Sequence, residues 1–103
     1  MDIRVLKYFV AVAKEGNISR AAESLHIAQP SLSKQMMDLE KELGKALLIR
    51  GKRKTTLTAD GILLRKRADE IIALFQKTER ELQSDSAVIS GEISIGWSVT
   101  NVG

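Results

Sequence analysis

The chain has 103 residues, 44% of them hydrophobic, and a formal net charge of +3. That length suits one modest domain with a small extension, and the absence of cysteine excludes disulfides, thiolate metal sites and cysteine nucleophiles. With His26 the single histidine and placed as a turn residue, neither a catalytic triad nor a histidine metal cluster is expected, and so no enzyme.

Ile3, Leu6, Phe9, Val10 and Ala13 recur at helical spacing and predict a first helix from Met1 to Gly16, closed by Gly16-Asn17. Lys7, Lys14 and Glu15 interrupt its apolar positions, and no later apolar run approaches bilayer length. These features predict a soluble, cytoplasmic protein with no signal peptide and no membrane partner. Asn17-Ile18-Ser19 fits a glycosylation sequon, which has no role without export.

From Ser19 to Gly44 the pattern is a helix-turn-helix. Ser19 is the expected cap of a short helix whose Ala21, Ala22 and Leu25 offer a flat apolar face, and His26-Ile27-Ala28 is the turn. Leu32, Met36, Leu39 and Leu43 then form one stripe of a second helix begun at Gln29-Pro30 and ended by Gly44. At 100° per residue, Pro30, Ser31, Lys34, Met37, Asp38 and Lys41 face away from that stripe, with Gln29 and Ser33 on its flanks.

Such a pattern fits either an ordinary amphipathic helix with a solvated face or one that enters a DNA major groove N-terminus first. In the second case its free backbone donors suit phosphate, and short polar side chains such as Gln29, Ser31, Ser33, Lys34 and Gln35 reach base edges. Asp38, Glu40 and Glu42 fall in the C-terminal half, where they are expected to sit clear of a duplex. Ser31 and Lys34 also match the Ser-x-x-Lys spacing of penicillin-recognising acyl enzymes, but the other signatures of that site are missing.

Ala46 to Ile49 and Thr55 to Leu57 are β-prone runs around a polar tip, which predicts a small hairpin, or wing. Lys52, Arg53 and Lys54 at its tip are suited to the phosphate backbone or an adjacent minor groove. Between Lys45 and Arg67 eight basic residues face the single acid Asp60, so positive charge concentrates in the middle third, the electrostatic footprint of nucleic-acid binding.

A long helix follows, capped by Thr58 and running to about Ser84, roughly 40 Å at 1.5 Å per residue. Leu57, Gly61, Leu64, Ala68, Ile71, Phe75, Thr78 and Leu82 recur at spacings of four and three, a heptad seam that calls for a helical partner. A homodimer is expected, with Leu64, Ala68, Ile71, Phe75, Thr78 and Leu82 at its interface, holding two groove-reading helices at a fixed separation. Beyond the helix, Ile93, Ile95, Trp97 and Val99 alternate with small or polar residues, the pattern of a strand that opens a second domain.

Three segments are therefore expected: 1–58 a DNA-binding domain, 59–85 a linker and dimerisation helix, and 86–103 a hinge and first strand. The fold class is mainly α, a winged helix-turn-helix of three helices plus a two-stranded wing, followed by the long helix. The rival reading is a coiled-coil interaction module in which the N-terminal domain is only an anchor.

Taken together, Ser19-x-Ala21-Ala22-x-x-Leu25, Gln29-Pro30-Ser31-Leu32-Ser33-x-Gln35, Leu39-Glu40-x-x-Leu43-Gly44, Leu47-Leu48-x-Arg50 and Leu57-Thr58-x-x-Gly61 closely resemble the DNA-binding region of LysR-type transcriptional regulators. The resemblance covers about residues 2 to 85. It implies DNA contacts at Gln29, Pro30, Ser31, Ser33 and Lys34, with Arg50 and Arg53 at the wing. It also implies a dimerising linker helix, tetrameric assembly, and a small-molecule co-inducer bound only in an effector domain beyond this chain. Four positions depart from the family pattern: Ala28 replaces a hydroxyl residue and so loses a cap, Lys34 is often Arg, Leu48 is usually Phe, and Asp60 is usually Ala.

Overall fold

Asp2 starts the first helix, α1 (Ile3–Glu15), by accepting the Val5 amide on Oδ1 at 2.9 Å. Gly16 ends it at φ 67°, a left-handed angle that glycine adopts without strain. Leu6, Phe9 and Val12 are its buried residues, while Ile3, Val10 and Ala13 are only half-buried. The apolar stripe is thus turned toward Val12, because that is the face α1 presents to the next two helices.

The second helix, α2 (Ile18–Leu25), begins two residues earlier than expected, and its cap is Asn17, not Ser19. Asn17 has extended backbone and accepts the Arg20 amide at 2.9 Å, which frees Ile18 to pack on the core and leaves Ser19 exposed. His26 closes α2 with φ 59° and brings the Ile27 amide back to the Ala22 carbonyl at 3.0 Å. The third helix, α3 (Gln29–Leu43), has Ala28 at its cap position with no side-chain cap, as the missing hydroxyl predicts. Pro30 in the first turn presets the helical backbone there, and Gly44 ends the helix at φ 66°.

Two short antiparallel strands, β1 (Leu48–Arg50) and β2 (Thr55–Leu57), form the wing in the register Leu48 to Leu57, Ile49 to Thr56 and Arg50 to Thr55. Its tip is closed by the Gly51 amide on the Lys54 carbonyl at 2.9 Å. Phe9, Val12, Ala21, Ala22, Leu32, Met36 and Leu39 from the three helices meet Leu47 and Leu48 from the wing's base in one core. Burying large apolar side chains at about 1.5–3 kcal/mol each is what holds so small a unit together.

Thr58 caps the last helix, α4 (Ala59–Glu92), accepting the Gly61 amide at 3.0 Å while its hydroxyl donates to the Ala46 carbonyl at 2.7 Å. The structure, a computed structural model, describes residues 1–92, with side chains to Ser84. It comprises two units, Met1–Ile72 and the residues from Ala73. In the second unit the described residues are helical to Glu92, past the expected helix end near Ser84; Ser84 to Ser90 contains no glycine or proline to stop it. The strand expected at Ile93 to Val99 lies outside the described residues. Among the described residues no helix is long and apolar enough to cross a membrane.

The heptad seam divides in two. Of the residues expected at a dimer interface, Ala68 is fully buried, and Leu64 is half-buried and packs on the core of its own domain. Spacing alone does not distinguish a seam satisfied by the same chain from one that awaits a partner. Ile71, Phe75, Thr78 and Leu82 are exposed.

Candidate nucleic-acid interface

At the start of α3, Gln29, Pro30 and Ser31 are exposed and Ser33 is half-buried. Ala28 at the cap position makes no side-chain hydrogen bond, Pro30 carries no amide proton, and the Ser31 amide donates to the Ala28 carbonyl at 3.1 Å, so what this end offers an anion is chiefly the positive end of the helix dipole. Lys34 is exposed too, but it is not solitary. Its Nζ lies 2.9 Å from Asp38 Oδ2, one turn along, so Asp38 belongs to the outward face.

Beside this turn is a concavity of about 250 Å³, lined by Asn17, Ile18 and Ser19 from the start of α2, Gln29 and Ser33 from α3, and Arg50 to Thr55 of the wing. Four cations line it, Arg50, Lys52, Arg53 and Lys54, and no acid does. A second concavity, about 220 Å³, is lined by Asp2, Asp38 and Glu42 along with Met1, Val5, Gln35 and Leu39. Charge is therefore sorted around α3, and an anion is attracted to the wing side.

Of the residues expected to contact DNA, Gln29, Ser33, Arg50, Lys52 and Arg53 line this one concavity. Pro30, Ser31 and Lys34 lie on α3 outside the concavity's lining. Asn17 and Ser19, not among the residues expected to contact DNA, line the concavity as well. The signal was available in the helix-start pattern, since two cap-competent residues two apart both face the end that a capped helix presents.

Glu40, one of the acids expected to sit clear of a duplex, is half-buried against the base of the wing. Its Oε2 accepts the amides of Leu47 at 2.8 Å and Leu48 at 3.0 Å, and its Oε1 lies 3.3 Å from Arg50 Nη1. Burial pushes its pKa up, but the two amides and the Arg50 guanidinium outweigh that and hold the carboxyl below its usual value. A carboxylate lowered in this way stabilises the fold above the ordinary glutamate range, and that stabilisation is lost as the pH falls through the lowered value. The brace fixes the wing's base against α3 and engages Arg50 within the chain.

The model of bacterial regulatory helix-turn-helix proteins of the lysR family matches residues 3–62. The HTH-type transcriptional regulator BsdA of Bacillus subtilis (strain 168) is 43% identical over 100 residues, 96% of this chain and 34% of that protein. The nitrogen assimilation regulatory protein nac of Escherichia coli (strain K12) is 42% identical over 97 residues, 94% of this chain and 32% of that protein. The crystal structure of a complex of the CbnR DNA-binding domain with DNA superposes with a TM-score of 0.81 at 40% identity, covering 84% of this chain and 99% of that one. The chain spans about a third of the length of the curated relatives it matches.

Proposed function

The chain belongs to the LysR family of bacterial regulatory helix-turn-helix proteins, and we propose that it is the sequence-specific double-stranded DNA-binding part of a transcription regulator. The observation that carries this reading is the acid-free concavity in which four wing cations stand beside Gln29 and Ser33 of α3. Lys52, Arg53 and Lys54 would neutralise backbone phosphates, with Arg50 shared between Glu40 and the duplex, while the first turn of α3 enters the major groove with Gln29, Pro30, Ser31, Ser33 and Lys34 toward base edges. Gln29 presents both a donor and an acceptor and suits adenine; Lys34 is a point charge and reads guanine less stringently than arginine does.

Two chains would pair through the free half of the α4 seam, Ile71, Phe75, Thr78 and Leu82, to engage the half-sites of a two-fold operator. We read residues 1–58 as the DNA-binding domain and the helix after it as the linker. By analogy with the longer relatives, an effector domain beyond this chain would bind a co-inducer and support a tetramer. The protein would act in the cytoplasm, where its DNA lies, and carry no enzymatic activity. The coiled-coil anchor reading gains no support, because the charge sorting around α3 has no purpose in it.

Binding to duplex DNA across a salt series tests this. Affinity is expected to fall steeply with salt, with each neutralised phosphate contributing about 0.9 to the log–log slope. Undetectable binding, or binding indifferent to salt, would overturn the assignment.

A further inference from the structure

The wing is short, and Gly51 to Lys54 at its tip are all exposed. A loop of that kind holds its cations in place only if something outside the hairpin ties it down, since long basic side chains otherwise pay ordering entropy on every phosphate contact. Two hydrogen bonds from the turn between α1 and α2 supply the tie. The Thr55 amide donates to the Gly16 carbonyl at 2.8 Å, and Asn17 Nδ2 donates to the Arg53 carbonyl at 3.4 Å.

Asn17 is also the cap of α2, where its Oδ1 accepts the Arg20 amide at 2.9 Å. The two partners fix the orientation of the side-chain amide: a backbone N–H calls for the oxygen, and a carbonyl calls for the NH2. Serine offers only the short capping oxygen, and aspartate offers two acceptors and no donor. Of the residues favoured at a helix cap, asparagine alone combines a cap acceptor with a donor of this reach.

We infer that Asn17 is a positioning residue for DNA binding: one side chain caps α2 and holds the backbone of Arg53, so that the wing's tip and the start of α2 present one surface to the phosphates. Asn17, Arg53 and Gln29 all line the same concavity. The role therefore concerns the preorganisation of Arg53 and need not include contact with DNA by Asn17 itself. It rests on the DNA-binding reading above.

The test uses Asn17→Ser, which keeps a capping oxygen and removes the donor, together with Arg53→Ala and the double variant. Asn17→Ser is expected to leave the thermal midpoint nearly unchanged and to weaken duplex binding about threefold to tenfold, the worth of one hydrogen bond. It should also lower the salt slope by about 0.9, one phosphate contact. The double variant should bind no more weakly than Arg53→Ala. Should Asn17→Ser lose the fold, Asn17→Asp, which also caps, replaces it, with its added charge measured against Ser19→Asp. Multiplying effects in the double variant, or an unchanged slope with wild-type affinity, would overturn the inference while leaving DNA binding intact. Failure of the wild-type chain to bind DNA would instead sink the reading on which it rests.

Discussion

Gly61→Ala is expected to destabilise the N-terminal unit by about 3 kcal/mol, the upper end of the cost of overpacking. The sign is the informative part. Inside an exposed helix, alanine is better than glycine by about 1 kcal/mol, so helix propensity alone predicts a gain. Here a Cβ on Gly61 would overlap the Leu47 carbonyl oxygen, with Leu57 Cβ only 3.2 Å away on another side. Neither neighbour can give way cheaply. The Leu47 carbonyl already accepts the Thr58 amide at 3.0 Å, its own amide is held by Glu40, and its side chain is buried in the core. Relief therefore means moving the first turn of α4 off the base of the wing. Urea unfolding of the variant measures this; a stability equal to or above that of the parent would show that α4 and the wing are not in this close contact.

The double variant Ile71→Glu with Phe75→Glu is expected to convert a dimer into a monomer in sedimentation. Ile71 is 43% exposed, Phe75 42% and Leu82 62%, an unusual amount of apolar surface for one helix to leave to water. Burying two such side chains on each chain contributes about 1.5–3 kcal/mol apiece to association. The variant removes that and sets four carboxylates in an apolar seam where desolvation alone is prohibitive. Because neither residue belongs to the core cluster, the helix-turn-helix should stay folded, as its unfolding profile would report. An unchanged mass would remove this half of the seam from the interface.

Most of the framework was legible because it is written in local rules. The apolar spacing of Leu32, Met36 and Leu39 gave α3, Gly16 and Gly44 marked helix ends, and β-prone runs around a polar tip gave the wing. Thr58 capped α4 as its position suggested. The misreadings share one cause, which is that they depend on tertiary partners. Asn17 and Ser19 are equally good caps in isolation, and the choice falls to Ile18, which needs the core. Glu40 projects toward solvent on a bare helix, and only the folded wing brings two strand amides and Arg50 to it. Leu64 and Ala68 keep the heptad rhythm whether they meet their own domain or another chain. In the candidate site, residue type and charge picked out Gln29, Ser33 and the wing cations, which share one concavity. The tie through Asn17 was invisible because it spans 36 positions in sequence.

The central claim is that the first turn of α3 and the tip of the wing form one DNA-reading surface. Amide chemical shifts of the whole chain, followed as duplex DNA is added, test it most directly. The largest changes are predicted at Gln29 to Lys34 and at Lys52 to Thr55, fading as salt is raised. Changes confined to α4, with both of those segments unmoved, would contradict it.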